Sequence, residues 1–172
     1  MRLIAVLIAS LIASAASAAE GWREYIYPGL KFAVGFPAPP KIEEVDYARV
    51  SGMTVRARVY SLAQDNKIYK VTVVDFASTG LDQFAILDLG IEMVARNTTT
   101  KLDLWCHYNL VDICREMSLV GADGSHTTVA SVYYQQKLYQ IEGTVLPLND
   151  DPASGDTIRF QHSFRFTDFA YQ

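Results

Sequence analysis

The chain has 172 residues, of which 50% are hydrophobic and 20% charged, and its 15 basic and 19 acidic residues give a net charge of −4. This composition is typical of one globular domain and excludes a disordered or low-complexity chain. Because the charge balance is mildly acidic and the sequence has no basic run or RNA motif, we expect no nucleic-acid partner.

The N-terminus has the pattern of a secretory signal peptide. Arg2 supplies a positive start, residues 3–13 are apolar, and Ala16-Ser17-Ala18 has the small-x-small form of a cleavage site. We therefore expect a signal peptide over residues 1–18 and one periplasmic or secreted domain over residues 19–172. The alternative is an uncleaved anchor, but the apolar run is shorter than the ~20 residues that a membrane span requires. We expect no stable membrane insertion after cleavage.

The first predicted elements of the mature chain are two short strands. Aromatic residues favour a strand over Trp22–Tyr27, and Pro28-Gly29 marks a turn. Alternating apolar residues predict a second strand over Phe32–Phe36. The prolines that follow end it, because proline cannot donate to a sheet ladder.

A meander of three strands is predicted next, with turns at Ser51-Gly52 and Asp65-Asn66. Its first pairing sets Val50 against Met53, and the second sets Gln64 against Lys67, so that one face is continuously apolar. The second register also sets Arg56 against Asp75. The predicted strands are Lys41–Val50, Met53–Leu62 and Lys67–Phe76.

The opposite face of this meander is the one feature that suggests binding. Three guanidiniums beside two phenols can hold an anion or a carboxylate-bearing partner through bidentate bonds and stacking. The alternative is an ordinary solvated strand face on which Arg56 is neutralised by Asp75. We call this set the Arg/Tyr face; it comprises Tyr47, Arg49, Arg56, Arg58 and Tyr60.

Leu81–Arg96 is predicted to be a long central helix with Thr79 as its cap. Phe84, Leu87, Ile91 and Val94 form one apolar stripe at helical spacing, and Ile86, Leu89 and Met93 form a narrower second one. We expect this helix to pack on the sheet and to contact another segment as well. The alternative is that its apolar surface contacts a lipid or cofactor.

Leu102–Tyr108 is predicted to be a strand, and it contains one of the two cysteines, Cys106 and Cys114. An even cysteine count in an exported chain indicates a disulfide, which would add ~2–3 kcal/mol of stability. Two free thiols are the main alternative. A metal site that includes His107 is disfavoured, because adjacent side chains in a strand point to opposite faces.

A second meander follows, with turns at Asp123-Gly124 and Gln135-Gln136. Asp-Gly is typical of a two-residue type I′ turn, which pairs Ala122 with Ser125 and Met117 with Ala130. Because a one-residue slip would destroy the agreement between the two turns, we expect an antiparallel sheet with one buried face. That face carries Met117, Leu119, Ala130, Val132, Tyr139, Ile141 and Val145, and the polar face carries Glu116, Ser118, Ser131, Gln140, Glu142 and Thr144.

The end of the chain is predicted to form a short helix within residues 157–166. It would lay Phe160 and Phe164 on the sheet, with Phe166 and Phe169 completing the contact. The predicted fold class is therefore α+β, an antiparallel sheet of meander hairpins flanked by a long central helix and a short C-terminal helix.

The order of these elements resembles the Mog1/PsbP-like group of small exported bacterial domains. The likeness is carried by Phe32-Ala33-Val34-Gly35-Phe36-Pro37 and by the terminal Phe160-Gln161-His162-Ser163-Phe164-Arg165-Phe166. It implies an antiparallel sheet flanked by helices. Known members of the group include a photosystem accessory subunit and a small-GTPase-binding nuclear protein, so the resemblance also implies an accessory or adaptor role. No binding residue of the group is carried over to this chain.

The sequence contains no catalytic constellation. His107, His126 and His162 lie in different predicted elements, and there is no G-x-S-x-G, H-E-x-x-H or phosphate-binding glycine loop. We therefore expect no enzyme, no cofactor and no metal. Convergence of His107 or His126 with acidic residues in one pocket would favour an enzyme instead.

These observations lead to two hypotheses of function. The first is an exported, non-enzymatic accessory or binding domain that engages a protein partner in the cell envelope through a sheet face or edge. The alternative is a carrier of a small apolar or amphipathic ligand held between the sheet and the helix over Leu81–Arg96.

Overall fold

The computed structural model describes residues 21–108, 111–147 and 155–168. The predicted signal peptide and Phe169 lie outside the described residues. Ten strands and two α-helices are found in the described ranges, and every strand pairing is antiparallel. They are β1 (Arg23–Tyr27), β2 (Phe32–Phe36), β3 (Lys41–Val50), β4 (Met53–Gln64), β5 (Lys67–Asp75), α1 (Gln83–Ala95), β6 (Thr98–Tyr108), β7 (Val111–Gly121), β8 (His126–Tyr134), β9 (Lys137–Val145), α2 (Gly155–Ser163) and β10 (Arg165–Phe166).

The larger sheet has seven strands in the order β3-β4-β5-β9-β8-β7-β6. Neighbours in this order are consecutive in the chain at every join except the central one, where Val71 of β5 pairs with Ile141 of β9. The smaller sheet has the order β1-β2-β10. These findings confirm an α+β fold built on antiparallel hairpins.

Three of the predicted turns have the predicted register. Val50 pairs with Met53, Gln64 with Lys67, and Val132 with Tyr139. Both central residues of each turn have positive φ, as a two-residue hairpin turn of type I′ requires. These central residues are Ser51 and Gly52, Asp65 and Asn66, and Gln135 and Gln136.

The predicted register at Asp123-Gly124 is wrong by one residue. Met117 pairs with Val129, not with Ala130. Only Gly124 has positive φ, and Asp123 Oδ1 accepts hydrogen bonds from the amide and the hydroxyl of Ser125 at 2.9 and 2.7 Å. The loop therefore has three residues and closes with Gly121 N–H donating to the carbonyl of Ser125. As a result, Met117 and Leu119 lie on the face opposite to Val132 and Tyr139.

Both faces of the seven-stranded sheet are covered, so the expectation of one buried face is wrong. Successive residues of β9 point to opposite sides. Leu138 belongs to one core cluster with Ile86 and Leu87 of α1, whereas Tyr139 packs with Phe164, the residue that follows α2, with ring centroids 6.0 Å apart. Covering both faces buries Ser131, Gln140 and Glu142, which were predicted to lie on a solvated polar face.

Helix α1 has 13 residues and is shorter than the predicted long central helix. It begins after Asp82, whose Oδ1 accepts from the amides of Phe84 and Ala85 at 2.9 and 3.0 Å. A short acidic side chain at this position satisfies amides that have no partner within the helix. Thr79, the predicted cap, instead donates its hydroxyl to the carbonyl of Phe76.

The layer on the other face combines the small sheet with α2. Phe160 and Phe164 are buried there, as predicted, and the ring of Phe164 stacks on that of Phe32 with centroids 5.4 Å apart. Phe166 belongs to β10 and not to the helix, because the backbone of β10 pairs with β2. This aromatic layer covers the β5–β9 centre of the large sheet.

Candidate functional site

The five residues of the Arg/Tyr face do not share one surface. A β-bulge between Asp46 and Ala48 inserts Tyr47 as an extra residue and turns it toward α1, where its hydroxyl donates to Gln140 Oε1 at 2.8 Å. Tyr60 lies on the opposite face, is only 2% exposed, and packs beneath Tyr27 of the small sheet. Neither phenol is therefore open to a partner.

The three arginines of this face are exposed, and each has a contact within its own hairpin. Arg58 donates to Glu44 at 2.6 Å, and this hydrogen bond holds the pKa of Glu44 below its usual value. Arg56 lies 3.8 Å from Asp46, and Arg49 donates to the carbonyl of Gly52 at 3.2 Å. The predicted Arg56–Asp75 pair is not formed, since Asp75 binds Lys137 at 3.1 Å. Two of the three exposed arginines are therefore paired with acidic residues of β3, and Arg49 contacts a backbone carbonyl.

A different surface stands out at the edge strand β6. This strand pairs only with β7 among the described strands, so the outer row of its backbone groups has no strand partner. Of the nine large hydrophobic residues that are exposed in the described ranges, four lie on this strand or against it, and Trp105 is the most exposed of the nine at 59%. We call this set the β6 edge patch; it comprises Phe84, Leu102, Leu104 and Trp105.

Arg115 of β7 organises the α1 side of the patch. Its guanidinium lies 4.7 Å from the centroid of the Trp105 ring and binds both carboxylate oxygens of Asp103, at 2.9 and 2.5 Å. Phe84 meets the same indole edge-on, with centroids 6.1 Å apart. A bidentate arginine stacked on an exposed tryptophan limits the rotamers that both side chains can adopt. The side chain of Trp105 is therefore restricted to few rotamers while it stays exposed to solvent.

The predicted disulfide is confirmed and lies beside this patch. Cys106 and Cys114 face each other across β6 and β7 and are bonded. The bond fixes the edge strand to its neighbour one residue after Trp105. Because disulfides persist in oxidising compartments, this pair is compatible with an exported protein. Within the described ranges, no helix combines the length and the apolar character needed to cross a membrane.

Two histidines and an acidic residue line a cleft of about 300 Å³ between α2 and strands β6, β7 and β8. His107, Glu116 and His162 line it and are exposed. Among the described residues that line this cleft there is no serine or threonine, and Cys106 is held in the disulfide. The described residues also contain no group of three side chains that could hold a metal ion. His107 and Glu116 thus meet in one pocket, which is the convergence expected to favour an enzyme, although only one acidic residue takes part and no nucleophile is found among the described lining residues.

A second cleft, of about 350 Å³, lies between the C-terminal half of α1 and the sheet. Its floor is polar and buried. Gln140 accepts from Tyr47 and donates to Ser131 Oγ and to the carbonyl of Gly90 at 3.2 and 3.0 Å. Beside it, Glu142 Oε2 lies 2.8 Å from Lys70 Nζ. We call this the α1 cleft; its lining comprises Val45, Asp46, Tyr47, Val59, Lys70, Thr72, Met93, Val94, Gln140 and Glu142.

Sequence reasoning missed the β6 edge patch. The signal was present in Leu102-Asp103-Leu104-Trp105, where apolar residues fall on both faces of one strand, a pattern that a one-sided edge strand does not need. The α1 cleft could not be read from the sequence, because it depends on the bulge at Tyr47. No family model and no curated protein matches this chain.

Proposed function

We propose that the protein is an exported, non-enzymatic accessory domain that binds an extended segment of a protein partner in the cell envelope along β6. The observation that carries this proposal is the concentration of exposed apolar residues on the β6 edge patch. The accessory role implied by the Mog1/PsbP-like resemblance and the disulfide, which suits an oxidising compartment, support it.

The chemistry of an edge strand explains how such a partner would be recognised. Main-chain hydrogen bonds to the outer row of β6 would supply affinity, and side-chain contacts would supply specificity. Leu102 and Leu104 lie on one side of the strand and Trp105 on the other, so alternate residues of the added strand would meet an apolar contact on each side. Tryptophan and arginine are the residues most often found at the energetic centre of interfaces.

Site-specific photo-crosslinking in the native host tests this proposal. A photoreactive residue at Leu104 should capture a partner, whereas the same residue at Ile158, which is also exposed but lies on α2, should not. Trp105→Ala should abolish capture from position 104. Equal capture from both positions, or capture that is unaffected by Trp105→Ala, would contradict binding at the edge.

The Arg/Tyr face provides the competing surface within the same experiment. An Arg49/Arg56/Arg58→Ala triple variant removes its exposed cations and leaves the β6 edge patch untouched. We expect this variant to retain the partner that is captured from position 104. Loss of the partner in the triple variant, with retention in Trp105→Ala, would assign binding to the arginines instead.

A further inference from the structure

We propose that β6 pairs with β6 of a second copy of this chain, in an antiparallel dimer whose two-fold axis passes through Leu104. The inference rests on the proposed function, because both require an open β6 edge, and it names what regulates that edge. A strand edge accepts one added strand at a time, so the dimer and an extended segment of another protein would exclude each other. The second copy would therefore cover the edge while no other partner is bound.

The register of β6 determines where such a pairing is centred. Its pairing with β7 is irregular between Thr100 and Leu102 and again between Cys106 and Tyr108. The regular stretch is therefore Leu102–Cys106, and Leu104 is its midpoint. Because a bulge bends and twists a strand, an added strand pairs best along a regular stretch. Two copies of β6 that pair about Leu104 use the whole of this stretch in both chains.

The α1 side of the edge is self-complementary in this register. Residues equally distant from the axis lie opposite each other, so Trp105 of one copy faces Asp103 of the other. Arg115 binds both carboxylate oxygens of Asp103, and the indole would therefore meet a paired carboxylate beside a guanidinium. A register centred on Asp103 would instead set two carboxylates directly opposite each other, which is destabilising.

The other side of the edge is apolar in this register. Leu104 would face Leu104 of the second copy, and Leu102 would face the half-buried Cys106 of the disulfide. The two leucines are 52% and 44% exposed in the single chain. Their pairing across the axis would remove an exposed apolar strip from water, which is the main driving force for association.

The opposite edge of the large sheet is not suited to pairing, and this makes the assembly close after two copies. That edge is β3, whose exposed residues include Glu43, Glu44 and Asp46. Charged side chains of this kind prevent edge strands from pairing. Pairing of β6 with β3 of another copy would continue into an open filament, whereas pairing of β6 with β6 forms a closed two-fold dimer.

Sedimentation equilibrium of the purified, disulfide-bonded protein tests the dimer. We expect twice the mass of one chain, with dissociation on dilution. Leu104→Lys sets two like charges opposite each other at the axis and should raise the dimer Kd at least about tenfold. Ile42→Lys is the matched control on β3, since Ile42 is 53% exposed, and should leave the Kd unchanged. A monomer at every concentration, or equal weakening by the two lysines, would overturn the proposal.

Hydrogen exchange tests the register. Alternate amides of an edge strand point outward, so exchange within Leu102–Cys106 should slow as the protein concentration rises, and exchange within β3 should not. A dimer without added protection at Leu102–Cys106 would overturn pairing through β6.

Photo-crosslinking from position 104 in the host separates this proposal from the proposed function. Another protein captured from position 104, combined with a purified protein that is monomeric, would overturn the dimer and leave the proposed function standing. A dimer that crosslinks only to its own copy in the host would support the dimer and contradict the proposed function.

Discussion

Gln140 of β9 donates its amide to the backbone carbonyl of Gly90 in the middle of α1, at 3.0 Å. Because Gly90 has no side chain, the helix can approach the sheet closely enough for this bond. A Cβ atom at Gly90 would lie 2.7 Å from Leu138 Cδ2 and 3.3 Å from Gln140 Nε2. The position of α1, and with it the shape of the α1 cleft, therefore depends on this one glycine.

Gly90→Ala should destabilise the protein by about 1–2 kcal/mol, even though alanine favours helix formation by up to about 1 kcal/mol. The expected loss follows from overpacking against Leu138, and urea unfolding measures it. Gly29→Ala is the matched control, since a Cβ there meets nothing within 4 Å. Equal stability of the two variants would show that α1 does not depend on this close approach.

Breaking the disulfide should destabilise the protein under oxidising conditions only, by ~2–3 kcal/mol. Cys114→Ser tests this, and Cys106→Ser breaks the same bond at a less buried position, where a hydroxyl costs less. Thermal unfolding with and without reductant provides the measurement. If Cys106→Ser lost as much stability in reductant as in air, the bond would not be the cause.

Gln136→Gly should stabilise the protein by about 0.5–1 kcal/mol. Gln136 has φ of 61° in the turn between β8 and β9, a conformation that glycine adopts without strain. Its side chain is exposed, so little packing is lost. Asp65→Ala is the control and should not stabilise the protein, because alanine tolerates the φ of 49° no better than aspartate does. A destabilised Gln136→Gly variant would contradict the turn geometry.

Alkaline pH should destabilise the protein through tyrosines that are buried, as Tyr69 is, or partly buried, as Tyr27 is. Burial, and then the charge of neighbouring groups, raises the pKa of Tyr27 and of Tyr69 to about 12. A raised pKa means that the folded state binds more protons, so the stability contribution is complete below the unfolded pKa of about 10 and falls as the pH approaches 12. Unfolding free energies between pH 8 and 12, with tyrosinate absorbance, should follow this course.

Tyr69→Phe isolates the tyrosine contribution from that of lysine deprotonation in the same pH range. The variant lacks one group of raised pKa, so its stability should fall less steeply with pH than that of the wild type. Identical slopes would assign the alkaline loss to other groups.

The sequence predicted hairpins well where the turn residues alone decide the register, and less well where a side chain competes. At Gln135-Gln136, both residues take positive φ and the predicted pairing is found. At the Asp123-Gly124 turn, the carboxylate of Asp123 accepts hydrogen bonds from Ser125, and Asp123 itself stays out of the left-handed region. The loop therefore has three residues instead of the predicted two. The dipeptide Asp-Gly is compatible with both loops.

The candidate sites were harder to predict than the strands. Alternation correctly separates Gln140 from Tyr139, but it cannot show that a helix will cover the polar side and bury Gln140. Likewise, the Arg/Tyr face assumed an unbroken β3, and the bulge moves Tyr47 to the other side. Both failures come from tertiary contacts, which a pattern of period two does not contain.

The pairing of Val71 with Ile141 has a consequence for biogenesis. Among the described strands, each half of the large sheet consists of hairpins between consecutive strands. The pairing of β5 with β9 is the one that joins segments far apart in the chain. Pairing between strands far apart in the chain forms more slowly than pairing within a hairpin, because a longer loop must close first. Until β9 has been synthesised and has paired with it, β5 would expose an apolar strand edge without a partner. A chaperone that binds the chain at that stage would protect it from aggregation.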